Sequence, residues 1–332
     1  MATDAAQAGV VGIGLIGCGK IGEKRILALP SSCSFVAAHD IQHDVARRFV
    51  DSHGGHLCDS SDELIRRSDV DAVIIATTHD QLAHMSILAI KHGKHVFVEK
   101  PGGRTPNEIR GILTAATRQG VQVSVGFNHR FHPAIMAAKS LIDSGEYGRL
   151  LWVRGRYGHG GRLGYEREWR ANKHISGGGE LLDQGCHLID LATHFFGSLR
   201  LDYSRLTTSY WPMEVEDNAF LALTTDGDAT IWLHVSWTEW KNTFSFEITL
   251  EHAKIEVTGL GGSYGTETLI VHKMKSAMGP PDTQRSVYEG VDESWGLEFT
   301  DFLQRIAGVG ARGASLESTI DVHEIITGAY ER

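Results

Sequence analysis

The stretch Gly177 to Asp190, GGGELLDQGCHLID, places an acid four residues before a histidine, Asp183 and His187. On a helix that spacing puts both side chains on one face, where a carboxylate can orient an imidazole and stabilise its charged form. Such a pair handles protons near neutral pH. Asp190 and His194 continue the polar stripe, and Leu181, Leu182, Leu188, Ile189, Leu191 and Ala192 fill the remaining positions, so the pattern predicts a helix with one face in the core. A solvated surface face would share this pattern. The three glycines set it apart: Ser176 could cap a helix, whereas Gly177, Gly178 and Gly179 let backbone come close to something bulky.

Val10 to Ile16 is an apolar run that leads into Gly17-Cys18-Gly19-Lys20-Ile21-Gly22, a GxGxxG between a predicted strand and a helix ending near Leu29. There the glycines permit a tight turn and close approach of pyrophosphate to a helix N-terminus. A second predicted strand, Phe35 to His39, ends at Asp40, where an acid can accept hydrogen bonds from the adenosine ribose. Helix capping is the alternative role. Ile41 and Gln42 follow with no cation for a 2′-phosphate, which predicts NAD over NADP.

The alternation continues through helices over Asp44 to Ser52 and Asp62 to Arg67, a strand over Ala72 to Ala76, and a helix over Gln81 to Lys91. Strands and helices that alternate in this way predict an α/β fold with a parallel sheet, and ligands then bind beyond the carboxyl ends of the strands. Thr77 and Thr78 fall there. So does Lys100, because the strand His95 to Val98 runs straight into Glu99-Lys100-Pro101. Beside a positively charged nicotinamide and partly buried, its ammonium is expected to move toward releasing its proton. Thr105-Pro106-Asn107-Glu108 is a capping box that opens a helix to Gln119, and the strand Gln122 to Gly126 leads to Asn128-His129-Arg130-Phe131.

The chain of 332 residues suits two domains: a dinucleotide-binding unit over 10–127 and a substrate-binding and oligomerisation unit over 128–332, after a disordered tail at 1–9. A net charge of −9 argues against general nucleic-acid or anionic-membrane binding. No stretch is apolar enough to span a bilayer. Cys18, Cys33, Cys58 and Cys186 form no CxxC pair, which fits reduced thiols and a cytoplasmic location. Histidines number 18, yet none stands in an HExxH motif or a Cys/His cluster at zinc spacing, so no metal is expected.

In the second half, Pro133 to Ser144 reads as a helix and Leu150 to Arg156 as a strand. Tyr157 to Ile175 reads as a loop rich in Gly, Arg and aromatic residues. Trp169 could stack on a sugar ring or on nicotinamide, and Arg170 or Lys173 could reach an anionic group. With Arg162 and Arg167 nearby, a nucleotide-activated substrate is one option. From Tyr203 onward come strands without long helices, over 220–224, 230–237, 244–250 and 254–258. They predict a mostly antiparallel open sheet that needs a covering layer or a partner subunit. Trp232, Trp237 and Trp240 are candidates for its core or for an interface. Ser276 to Val291 reads as a long loop, and helices over 295–306 and 317–330 complete the chain.

GxGxxG, Asp40, the run Gly93 to Pro101, the Asn128 to Phe131 motif and the Gly177 to Asp190 stretch together resemble the Gfo/Idh/MocA oxidoreductases, along nearly the whole chain. The resemblance implies an N-terminal Rossmann domain and a C-terminal α+β domain whose large sheet often serves for oligomerisation, here a homodimer or homotetramer. It also implies that Lys100, Asp183 and His187 surround the reacting carbinol, His187 as base oriented by Asp183, and Lys100 on the forming alkoxide. Expected cofactor contacts are Gly17, Gly19, Lys20, Ile21, Asp40, Ile41, Thr77, Thr78, His84, Glu99, Lys100 and Asn128. Expected substrate contacts are Lys100, Asn128, Arg130, Trp169, Arg170, Asp183, Gln184 and His187. Thr78 stands where members commonly carry proline. The implied function is NAD-dependent oxidation of a secondary hydroxyl of a sugar, sugar derivative or cyclitol. The alternatives are an NAD-dependent glycosidase of the same fold and a dinucleotide-sensing regulator without turnover.

Overall fold

A computed structural model describes residues 10–332; the tail expected at 1–9 lies outside them. The first unit runs β1 (Val11–Ile16), α1 (Lys20–Leu27), β2 (Cys33–His39), α2 (His43–His53), β3 (His56–Leu57), α3 (Ser61–Arg66), β4 (Ala72–Ile75), α4 (His79–Lys91), β5 (His95–Glu99), α5 (Pro106–Gln119) and β6 (Val123–Gly126). Its six strands are parallel in the order β3-β2-β1-β4-β5-β6. The order reverses beside β1, which opens a crevice between the carboxyl ends of β1 and β4. Local chemistry sets the boundaries. The Thr105 hydroxyl accepts from the Glu108 N–H to cap α5, Pro106 takes its first turn, and Gly120 closes it in the left-handed region.

The second unit runs α6 (Pro133–Asp143), β7 (Leu150–Gly158), α7 (Lys173–Ser176), a π-helical turn (Leu181–Gly185) continuing into α8 (Cys186–Phe196), then β8 (Leu199–Thr207), β9 (Asn218–Thr225), β10 (Thr230–Ser236), β11 (Thr243–Leu250), β12 (Ala253–Thr258), β13 (Glu267–Lys273), β14 (Asp282–Tyr288), α9 (Ser294–Ile306) and α10 (Leu316–Tyr330). Its eight strands lie in the order β14-β13-β12-β11-β7-β10-β9-β8, antiparallel except for β7 and β10. Two expectations give way here. The predicted loop at Ser276 to Val291 contains the edge strand β14, whose pairing with β13 needs no apolar side chains. The run of strands after α8 also begins at Leu199, with β8, earlier than the sequence pattern suggested.

Alternation along the strands sorts the second sheet into two faces. Val153, Leu221, Leu233, Phe246, Ile255 and their neighbours pack inward with α8 and α10. Trp152, Tyr203 and Trp232 remain on the outer face, the Trp232 residue 41% exposed and its ring stacked on Tyr203. Trp237 is core, packed with Tyr165 and Trp211, and Trp240 is exposed.

The two units are not joined at a single crossing. Helix α9 returns to the first sheet, where Phe299 and Phe302 pack on Phe97 together with Ile13 and Leu15. Beneath that contact Arg25 lies buried between the Phe97 and Trp295 rings. Its Nε donates to Glu99 and its Nη1 to Glu298, at 2.5 and 2.6 Å. Burial raises the Glu298 carboxyl to about 8, against the opposing pull of Arg25, and Glu298 Oε1 has no partner among the described residues. The folded chain therefore holds the extra proton. The stability this contributes is complete below the ordinary carboxyl pKa of 4.5 and is lost as pH rises through about 8. Urea unfolding of the wild type should weaken relative to Glu298→Gln over that window, by on the order of 1 kcal/mol per pH unit at most. Parallel curves for the two proteins would refute a titrating Glu298.

Candidate active site

At the crevice, Gly17 has a φ of +99° and a side chain there would overlap the Ala76 carbonyl, so the turn requires glycine. Gly19 caps α1 with no side-chain bond, and a Cβ on it would meet nothing within 4 Å. The first-turn N–H groups of α1 thus face open space. Lys20 is exposed beside them. Asp40 stands at the end of β2, its Oδ2 accepting from the Cys18 N–H and its Oδ1 from the Gln42 N–H, both at 2.9 Å. It therefore braces the glycine turn and the start of α2 at once, and its remaining lone pairs stay available for a ribose. Ile41 is almost fully exposed, and Thr77 and Thr78 are half-buried at the end of β4. Open glycine, free helix N-terminus and paired acid fit a dinucleotide.

Lys100 follows the last residue of β5. Its ammonium donates to Asp183 Oδ1 at 2.5 Å and to the Asp183 carbonyl at 2.6 Å. Its side chain remains 21% exposed, and a third N–H is uncommitted among the described residues. Arg170 Nε donates to the other Asp183 oxygen at 3.1 Å, and its guanidinium lies over the Trp169 ring. Burial alone would raise the Asp183 carboxyl; Lys100 and Arg170 prevail and hold it well below the usual carboxylate range. At Lys100, Asp183 in turn overcomes burial and the opposing Arg170 and holds the ammonium above its ordinary value. The sequence expectation that Lys100 moves toward releasing its proton is therefore wrong, because Asp183 lies in contact.

Nor does Asp183 orient His187. The π-helical turn adds a residue to the winding between them, so Asp183 turns toward Lys100 while His187 packs edge-on against His129, centroids 3.9 Å apart, and against Phe127. Among the described residues no group hydrogen-bonds to the His187 ring, whose Nδ1 is buried. Burial and the neighbouring His129 push its pKa well below the ordinary 6.5, so the imidazole is neutral.

The three glycines also serve another purpose than expected. A side chain on Gly179 would overlap the Glu216 backbone and one on Gly178 the Tyr330 hydroxyl. The Glu216 carboxylate accepts from the N–H groups of Gly179 and Leu181 and from Tyr330, which caps the start of the turn. The bulky neighbour is the protein itself.

Several expected contacts are committed elsewhere. Arg130 makes a buried two-bond pair with Asp190, Asn128 donates to Ser294, and Glu99 accepts from Arg25. The first two pairs lie within the second unit and the third within the first, where Arg25 also reaches across to Glu298. His84 is exposed on the outer side of α4. His79, which spacing did not single out, is buried at the start of that helix. It lies edge-on to Trp169 at 4.8 Å and bonds to the Ser176 carbonyl through Nδ1, and burial pushes its pKa down to about 4. Glu180, Tyr157 and Tyr264 are further neighbours with no sequence signal beyond their residue type. The loop cations are neutralised, Arg162 by Glu168 and Arg167 by Glu166. His56, Cys58 and Glu63 bring possible metal-ligating atoms within 4.8 Å of one another, although Glu63 is engaged by the Asp59 N–H. A polar cleft of about 630 Å³ between the loops at 166–172 and 208–214 contains none of Lys100, Asp183 and His187.

Known proteins resemble this chain in sequence and in fold. Levoglucosan dehydrogenase of Pseudarthrobacter phenanthrenivorans is 31% identical over 214 residues, 59% of this chain and 54% of that protein. Inositol 2-dehydrogenase of Salmonella typhimurium is 33% identical over 154 residues, 46% of this chain and 45% of the relative. The chain spans about half the length of these curated relatives. A solved levoglucosan dehydrogenase in complex with NADH and levoglucosan has the same fold, with a TM-score of 0.85, 23% identity and 97% of each chain covered. The glycine turn and parallel strands lie inside residues 11–127, which match the model of an oxidoreductase family with an NAD-binding Rossmann fold. The π-helical turn and most of the open sheet lie inside residues 135–263, which match that family's C-terminal domain. The chain thus belongs to the Gfo/Idh/MocA oxidoreductase family.

Proposed function

We propose that the protein is an NAD-dependent dehydrogenase acting on a secondary hydroxyl of a sugar, sugar derivative or cyclitol. The observation that carries this reading is the Lys100 ammonium, fixed by two bonds to Asp183 with its third N–H uncommitted, at the end of the strand next to the dinucleotide crevice. Bound nicotinamide supplies the hydride acceptor that alcohol oxidation requires. In this reading Gly17, Gly19, Lys20, Ile21, Asp40, Ile41, Thr77 and Thr78 hold the dinucleotide. Asp40 with no cation behind it favours NAD, and paired titrations of NAD and NADP test that choice. Lys100 donates to the substrate hydroxyl oxygen and stabilises negative charge as its proton leaves, while neutral His187 takes that proton. Trp169, Arg170 and Gln184 line the substrate side. Arg130, Asn128 and Glu99 have buried structural partners and His84 faces solvent, so this reading gives the four no ligand contact.

The outer sheet face, with Trp152, Tyr203 and Trp232, supports a homodimer or homotetramer built on that sheet. Four unpaired thiols support a reducing, cytoplasmic setting. Among the described residues no helix is long and apolar enough to cross a membrane.

Three outcomes follow from this reading. Lys100→Met should lower kcat by about 10²-fold or more with NAD affinity unchanged; reduced-nicotinamide absorbance against a panel of sugars and cyclitols reads the first, and fluorescence titration the second. Full activity in that variant would remove Lys100 from the chemistry. Because His187 is neutral well below its ordinary value of 6.5, kcat/KM should stay level as pH falls through 6.5, and an acid limb centred there would contradict a desolvated base. Trp232→Glu should reduce the mass measured by light scattering toward one chain, whereas an unchanged mass would place the interface elsewhere.

A further inference from the structure

At the edge of the parallel sheet, the short strand β3 carries His56, Cys58 follows it, and Glu63 lies in the first turn of α3. Residues two apart on extended chain share a side, so His56 and Cys58 project together, and α3 folds back to bring Glu63 onto them. One donor atom from each of the three lies within 4.8 Å of the others, and His56 Nε2 stands 3.6 Å from Glu63 Oε1. Ligands around a tetrahedral zinc ion are about 3.3 to 3.6 Å apart, given bond lengths of about 2.0 to 2.3 Å. A small inward shift closes the set.

Local structure already holds two of the three donors in place. Ser60 caps α3 by accepting from the Glu63 N–H at 3.1 Å, and the Glu63 carboxylate accepts from the Asp59 N–H through Oε2 at 2.8 Å. That bond orients the carboxylate as an outer-shell partner orients a metal ligand, and it leaves Oε1 facing His56. Cys58 is tied to β2 on both sides: its N–H donates to the Ala38 carbonyl at 2.9 Å, and its carbonyl accepts from His39 Nδ1 at 3.1 Å. Only His56 has to turn, and its side chain is 54% exposed. Burial, with Glu63 beside it, pushes the Cys58 thiol up to about 11 against the pull of Arg67, so it is no nucleophile at neutral pH. A divalent cation supplies the positive charge that its thiolate lacks. Arg67 does not, because its guanidinium is bound to both oxygens of Asp69, at 2.9 and 2.7 Å.

We propose that His56, Cys58 and Glu63 bind one zinc ion, with water in the fourth position, as a structural site that fastens the edge strand β3 to α3. A thiolate joined by an imidazole and a carboxylate is a donor set that zinc accepts, whereas magnesium and calcium take oxygen ligands. Binding forms bonds to a His56 ring nitrogen, to Cys58 Sγ and to Glu63 Oε1, and it releases the thiol proton to water. Lys100, Asp183 and His187 take no part, so the site is independent of the dehydrogenase reading. It does adjoin the dinucleotide crevice through backbone, because His39, which donates to the Cys58 carbonyl, accepts from the Gly17 N–H at 2.9 Å. Motif spacing led to the expectation of no metal, since His-x-Cys with a Glu five residues on follows no common zinc pattern; the fold of α3 against β3 is what gathers the donors.

The test is a cobalt titration of the full chain after metal has been removed with a chelator. Co²⁺ enters zinc sites, and a thiolate ligand then gives a near-ultraviolet charge-transfer band. One equivalent of Co²⁺ should produce that band in the wild type and in Cys33→Ser, and added Zn²⁺ should abolish it. Cys58→Ser should lack the band, and His56→Ala and Glu63→Gln should each weaken Co²⁺ binding about 10-fold or more, at least what an outer-shell partner is worth. These last two variants keep the fold, because His56 is exposed and a glutamine oxygen still accepts from the Asp59 N–H. Zn²⁺ should also raise the Tm of the wild type and leave that of His56→Ala unchanged at the same concentration. A wild type without the band at one equivalent overturns the site. So does a band that persists in Cys58→Ser, or Co²⁺ affinity in His56→Ala or Glu63→Gln equal to that of the wild type.

Discussion

Two N–H bonds from Lys100 end on one residue, Asp183, and most of the site depends on that contact. A buried ammonium and a buried carboxylate each cost several kcal/mol to remove from water, and they are tolerated together because each is the other's main partner. The pair joins the end of β5 to the π-helical turn, and Arg170 adds the loop before it as a third member. Three segments distant in sequence are thereby held at hydrogen-bond distance. Chemistry is left to what the pair does not consume, the third Lys100 N–H and the neutral imidazole of His187.

The same rule, that buried charge must be paired, builds the frame around the site. Arg25 binds Glu99 and Glu298, and Arg130 binds Asp190, in both cases with almost no solvent contact. Arg25 with Glu298 crosses from the first unit to the second, Arg130 with Asp190 braces the second, and α9 adds Phe299 and Phe302 to the core of the first. The crevice is therefore bounded by segments from both ends of the chain. Relative placement of Lys100 and His187 is fixed by packing as much as by the strands that carry them.

Glu180 is the exception to the pairing rule. Among the described residues its carboxyl has neither counter-ion nor hydrogen bond, and burial beside Asp183 and Glu216 keeps it protonated. Asp183 and Glu180, three residues apart in one turn, are driven to opposite ionisation states by what surrounds each. Divergence of this kind between neighbouring carboxyls is how one site can contain both a fixed charge and a neutral hydrogen-bond donor.

Much of the fold was legible in the chain itself, because strand and helix periodicities, Gly17 and the Thr105 capping box act over a few residues. The parallel unit, the open sheet and the cluster of Lys100 with Asp183 follow from such local signals and from family resemblance. Edge strand β14 escaped because its pairing is made by backbone, not by an apolar pattern. Pairings between distant residues were not legible. Spacing alone matched Asp183 with His187, but one extra residue in a π-helical turn rotated them apart. Arg130, Asn128 and Glu99 looked like ligand contacts until packing supplied Asp190, Ser294 and Arg25, and the glycines at 177–179 looked like a ligand cradle until Glu216 and Tyr330 filled it. The sequence by itself determined which groups are available for chemistry and the order of the elements that carry them. Tertiary structure alone decided which charges meet, which acid remains protonated and which histidine is desolvated, because those depend on neighbours brought from elsewhere in the chain and on the water they exclude.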